Sequence, residues 1–141
     1  MSADFRFSDV NIYNQHYETS HNSSELLSET AYGLSEIFRD SIKESRIVAC
    51  PGCYPTSVLL QLIPLIRKNI ISTNNMVIDS KSGYSGAGRS VHKKYKDKNL
   101  YESLSAYGVG FHRHNSEIEQ TLKEFTNKKI NFSSLFCVSI I

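Results

Sequence analysis

One junction constrains this chain more than any other. Arg46-Ile47-Val48-Ala49 reads as a short strand, and Pro51-Gly52 stops it. Cys53-Tyr54-Pro55-Thr56 follows at once, and then Val58, Leu59, Leu62, Ile63 and Ile66 recur at helical spacing. A strand that feeds a helix through so tight a turn belongs to folds in which strands and helices alternate. Pro55 suits the first turn of that helix, where a missing N–H costs nothing. Pro64 lies inside the pattern and should kink the helix or end it early.

The rest of the chain alternates in the same way. Ser35 to Ser45 places Ile37, Phe38 and Ile42 on one helical stripe. Met76-Val77-Ile78-Asp79 reads as a strand that runs into a glycine-rich loop, Ser82 to Gly88. A third helix is expected from Ser116, with Ser116 and Glu119 as a capping box and Ile118, Leu122 and Phe125 buried. Ile130 to Ile141 is the last strand region, and its apolar part, Leu135 to Ile141, is expected to form an unpaired edge. Residues 1–19 hold Phe5, Phe7, Val10, Ile12, Tyr13 and Tyr17 without helical or strict strand spacing. The expected class is α/β to α+β.

Composition excludes several functions. With 141 residues, 40% of them hydrophobic and 21% charged, the chain is a globular domain and not a disordered or coiled-coil segment. No apolar run approaches the roughly 18 residues that a membrane helix needs. A net charge of +2 does not call for nucleic acid or an anionic membrane. The basic run Arg89, Lys93, Lys94, Lys96 and Lys98 reads as a solvated face. Three cysteines, Cys50, Cys53 and Cys137, are an odd and sparse set, which points to a reducing compartment. Cys50 and Cys53 have C-x-x-C spacing. Zinc would need a second ligand pair that is missing, and a redox pair before a helix is the other use of that spacing.

Three features carry chemistry. Cys53 sits at the mouth of a helix, where unpaired N–H groups and the helix dipole stabilise a thiolate and an oxyanion formed beside it. The competing reading of Cys53 is a small buried hydrophobe. The glycine-rich loop after the Ile78 strand, closed by Arg89, lets a backbone approach a phosphate or a nicotinamide ring, or is simply a surface loop. His112-Arg113-His114, taken as extended, would put both histidines on one face, and an imidazole there can protonate a developing alkoxide. A histidine is otherwise structural or solvent-exposed.

Taken together these residues resemble a known family. Pro51-Gly52-Cys53-Tyr54-Pro55-Thr56, then Asp79-Ser80-Lys81-Ser82-Gly83-Tyr84-Ser85-Gly86-Ala87-Gly88-Arg89, then His112-Arg113-His114-Asn115-Ser116-Glu117-Ile118, look like the N-acetyl-gamma-glutamyl-phosphate reductases of arginine biosynthesis. Ser2-Ala3-Asp4-Phe5-Arg6 and Tyr32-Gly33-Leu34 also match that pattern. The family usually has Asn where Cys50 stands.

The resemblance implies the tail of a Rossmann-type domain over residues 1–52. Part of a glyceraldehyde-3-phosphate-dehydrogenase-like catalytic domain would fill residues 53–141. It implies a fragment of a longer cytoplasmic enzyme that is a homo-oligomer when full length and takes a small acyl phosphate, with neither nucleic acid nor membrane as partner. Cys53 would attack N-acetyl-glutamyl phosphate and expel phosphate, and NADPH would reduce the thioester to the semialdehyde. His112 would be the acid/base, with His114 the runner-up. Ser82 and Gly83 would line the nicotinamide end of the NADP(H) site, and Arg6 and Arg89 would hold substrate carboxylate or phosphate. No metal is implied. The alternatives are the reductase of N-acetyl-aminoadipyl phosphate in lysine biosynthesis, and an inactive truncated module. The fragment alone is expected neither to turn over nor to bind NADPH tightly.

Overall fold

The computed structural model describes residues 3–86 and 103–139. Arg89 and the basic run up to Lys98 lie outside them. The chain divides into two compact units. The first takes the described residues of Met1–Ile71 and Arg113–Ile130, and the second those of Ser72–His112 and Asn131–Ile141.

The first unit opens with a 3-10 turn at Ala3–Phe5 and a helix, α1, at Val10–Tyr17. This helix corrects the reading of residues 1–19 as irregular. Val10, Tyr13 and Tyr17 are spaced for one helical face, and the Tyr13 and Tyr17 rings stack with centroids 4.8 Å apart. Asp9 caps the helix by accepting from the Asn11 N–H at 2.8 Å, and Glu18 ends it at a left-handed φ of 51°.

After a second 3-10 stretch, Ser24–Glu29, the strand β1, Thr30–Tyr32, pairs in parallel with β2, Ile47–Ala49. Gly33 extends the pair by donating to the Ala49 carbonyl at 2.8 Å. A Cβ at Gly33 would sit 2.9 Å from that carbonyl oxygen, so the close approach requires glycine. Between the strands, α2 covers only Arg39–Glu44. Ile37 and Phe38, expected on its stripe, lie in the turn that leads into it.

The long helix α3 runs Cys53–Arg67 and buries Tyr54, Pro55, Val58, Leu59, Ile63 and Ile66. Pro64 does not end it early, as expected from sequence. Pro64 lies on the exposed side, where the one missing helix bond is cheap, and its own carbonyl accepts from the Lys68 N–H at 3.3 Å.

Helix α4, Arg113–Lys123, packs against α3 and buries His114, Glu117, Ile118, Thr121 and Leu122. It starts three residues before the expected capping box. Ser116 is therefore inside the helix, where its Oγ is hydrogen-bonded to His16 Nε2 at 2.6 Å, and Glu119 pairs with Lys123 at 2.8 Å.

The second unit is a three-stranded sheet in the order β3-β5-β4. β3 spans Met76–Gly83, β4 spans Leu104–Tyr107 and β5 spans Phe132–Ser139. β5 pairs in parallel with β3 and antiparallel with β4. This overturns the expectation of an unpaired edge, because Leu135 to Ser139 lie in the central strand, where Phe136 to Ser139 have partners on both sides and Leu135 pairs with Asp79. Ile78, Phe136, Cys137 and Val138 are its buried residues.

Candidate active site

The site is built on the turn between β2 and α3. Gly52 is the N-cap of α3, with extended backbone at φ −65° and ψ 157°, and Cys53 is the first helical residue. Cys53 is exposed, as is Cys50 at the end of β2, whereas Cys137 is buried in β5. The Gly52 carbonyl accepts from the Thr56 N–H at 2.9 Å and from Thr56 Oγ1 at 2.8 Å. Pro55 has no N–H, so Cys53 and Tyr54 carry the other backbone donors of the first turn, at the positive end of the helix dipole.

The turn is held by Glu117, Arg6 and His114. Glu117, only 1% exposed, accepts at Oε1 from the Gly52 N–H at 2.9 Å and from the Tyr32 hydroxyl at 2.6 Å. Arg6 pairs with Glu117 Oε2 at 3.5 Å and donates from Nε to the Cys50 carbonyl at 2.7 Å. His114 is buried beside the turn, and a Cβ on Gly52 would come within 2.7 Å of its Nε2. The Tyr54 ring meets the His114 ring edge-on with centroids 5.9 Å apart. Burial pushes the Tyr32 phenol well above the usual tyrosine range, and the Glu117 carboxylate beside it pushes the same way.

The expected residues fall in different places. Cys53, His114 and Arg6 meet at this turn. The extended run that would have put both histidines on one face is not formed, because the helix begins at Arg113; His112 belongs to the second unit and His114 to the first. In its own unit the His112 ring packs edge-on to Phe136 at 4.7 Å and to Tyr107 at 5.4 Å, tight against Gly108. Ser82 and Gly83 close β3 instead of opening a loop. Among the described residues, a Cβ on Gly83 would meet Ser85 Oγ alone, at 3.6 Å, an ordinary contact. Glu117 and Tyr32 were given no role by sequence reasoning. The signal for Glu117 was available: His114 and Glu117 are three apart, which puts both on one face of a helix.

This turn begins a segment with known counterparts. Residues 53–138 match the family model described as semialdehyde dehydrogenase, dimerisation domain. The chain belongs to that family. A rice protein named as a probable chloroplastic N-acetyl-gamma-glutamyl-phosphate reductase is 47% identical over 98% of this chain and 34% of its own length. The reductase of that name from Desulforamulus reducens is 47% identical over 94% of this chain and 38% of its own. The one from Ehrlichia canis is 48% identical over 86% and 35%. The resemblance drawn from the motifs is thus borne out. This member of the semialdehyde dehydrogenase family spans a little over a third of the length of the curated relatives it matches.

Proposed function

We propose that this chain carries the cysteine centre of an N-acetyl-gamma-glutamyl-phosphate reductase, an enzyme of arginine biosynthesis, with Cys53 as nucleophile. The observation that carries this reading is the exposed Cys53 at the first position of α3, on a turn fixed by Glu117 and His114. Cys53 Sγ attacks the acyl carbon, the carbon–oxygen bond to phosphate breaks, and a thioester remains on the cysteine. The N–H groups of the first turn of α3 stabilise the oxyanion formed in that step. His114 Nε2 faces the turn, and we assign it the proton that moves with the reaction; His112 is the alternative. The relatives' names favour the glutamyl over the aminoadipyl substrate.

The cofactor is NADPH, which supplies a hydride when bound. Ser82 and Gly83 suit its nicotinamide end, because Gly83 has no side chain to hold a flat ring away from the backbone. Among the described residues no glycine-rich turn opens a helix for the pyrophosphate, so these residues fit one end of the cofactor only. Arg6 remains an anion-binding candidate, with its guanidinium already engaged by Glu117 and Cys50. Arg89, the other such candidate, lies outside the described residues.

Residues 1–52 would be the end of a Rossmann-type domain, a reading supported by the parallel β1–β2 pair. The family match begins at residue 53, where the catalytic domain would start. Self-association would use the sheet, since Val77, Leu104 and Leu135 are exposed and the register puts them on one face. The proposed compartment is the cytoplasm, where sparse free thiols persist; among the described residues no helix is long and apolar enough to cross a membrane.

The test is to incubate the chain with an acyl phosphate and map the product by mass spectrometry. A hydroxylamine-labile adduct on Cys53 with release of phosphate is expected. An adduct on Cys50 or Cys137, or none, contradicts the reading.

A further inference from the structure

The Cys53 reading leaves one half-buried hydroxyl without a purpose. Tyr32 lies on β1, in register with Ala49 of the strand that leads into the cysteine turn. Its ring packs edge-on to Phe38 at 5.9 Å, which a phenylalanine would do equally well. Its hydroxyl points elsewhere, to Glu117 Oε1 at 2.6 Å. The same oxygen receives the Gly52 N–H at 2.9 Å. One carboxylate oxygen thus ties a strand residue to the amide directly before the cysteine.

We propose that Tyr32 is a positioning residue for the cysteine turn: by holding Glu117 Oε1 on the Gly52 amide, it sets the orientation of Cys53 at the start of α3. The inference rests on Cys53 being the nucleophile. Glu117 is a long side chain with several rotatable bonds, and a single contact would leave it several rotamers. The Tyr32 hydroxyl and Arg6, one on each carboxylate oxygen, reduce that choice to one. Gly52 is then fixed at every point. Its N–H meets Glu117, its carbonyl meets Thr56, and its Cα lies against the His114 ring. The next free rotation along the chain is the Cys53 side chain itself. Nucleophiles held this way gain from pre-organisation, and small displacements of the holding groups are felt at the reacting atom.

The Tyr32→Phe variant of the whole chain removes the hydroxyl and keeps the ring and the strand. Amide hydrogen exchange read by NMR then reports on two glycines. The Gly52 amide is expected to exchange about tenfold faster, the usual consequence of losing one hydrogen bond of this size. The Gly33 amide, bonded to Ala49 on the same strand pair, is expected to stay protected. The Cys53 alkylation rate with iodoacetamide and its pH profile should both move. Glu117→Gln, which keeps an acceptor for Gly52, should leave the Gly52 amide closer to the native protein than Glu117→Ala does. The proposal is overturned if Gly52 exchange in Tyr32→Phe stays within twofold of native, or if Gly33 loses protection equally. The second result would make the hydroxyl a prop of the strands. Native labelling that misses Cys53 would instead sink the nucleophile reading, and the Gly52 amide would still decide whether Tyr32 braces the turn.

Discussion

The cysteine turn and the three-stranded sheet solve opposite problems with the same chain. At the turn, one buried carboxylate is answered three times: Glu117 at 1% exposure takes the Gly52 N–H, the Tyr32 hydroxyl and Arg6. On the sheet, apolar groups are left outside, with Val77 at 79% and Leu104 at 55% exposure. The turn spends its contacts on fixing the backbone at Cys50 and Gly52. The sheet leaves apolar side chains uncovered on one face, beside the Asp79–Lys81 pair. Buried polar clusters confer precision and are costly when broken, whereas an uncovered apolar face tolerates substitution until its partner arrives.

The largest effect should come from chemistry at the turn. His114→Asn is expected to slow acyl-phosphate modification of Cys53 by roughly 10²–10⁴, the usual size of an acid/base contribution. His112→Asn, in the other unit, should have the smaller effect, and the reverse order would move the proton role to His112.

The next effect is on stability. Glu117→Ala leaves the Gly52 amide, the Tyr32 hydroxyl and Arg6 without their buried partner. Denaturant unfolding should show a loss of about 3–5 kcal/mol, the range for breaking a buried pair by removing one member. A change below about 1 kcal/mol would mean that the turn is not held as described.

The sheet should behave in the opposite way. Leu135→Lys should change stability by no more than about 0.5 kcal/mol, as surface substitutions do. It should nonetheless abolish self-association of the chain in analytical ultracentrifugation. Unaltered self-association would remove this face as the interface.

The smallest effect is one of pH. The Tyr32 phenol is raised by burial and by Glu117, so the folded protein holds its proton more tightly than the unfolded chain does. That contribution is complete below the ordinary tyrosine range near pH 10 and is lost as the pH climbs through the raised value. Above about pH 10 the native protein should therefore lose stability more steeply than Tyr32→Phe, measured as the unfolding midpoint against pH.

What the sequence disclosed of this comparison follows from distance along the chain. The strand, the Pro51-Gly52 turn and the helix with Cys53 at its mouth were legible because every residue that makes them is a neighbour. The grip on the turn was not. Tyr32 and Glu117 are 85 positions apart, Gly52 and Glu117 are 65, and Arg6 and Cys50 are 44. No local spacing encodes such pairings. Misreading Ser116 as a helix start had the same origin. The first turns of α4 are anchored by buried His114 and Glu117, which a pattern of apolar residues does not mark. The sheet order was hidden too: β4, Leu104–Tyr107, is short and carries no β-branched run, and without it β5 reads as an edge.

Alkylation tests most directly whether the turn presents Cys53. Near neutral pH, a limiting amount of iodoacetamide should label Cys53 before Cys50 and Cys137, with peptide mass spectrometry as the readout. Cys50 and Cys53 are both exposed, but Cys50 lies outside the helix, so the pair compares exposure alone with exposure at a helix N-terminus. Preferential labelling of Cys53 is the predicted result; equal labelling of Cys50 and Cys53, or Cys50 first, would contradict it.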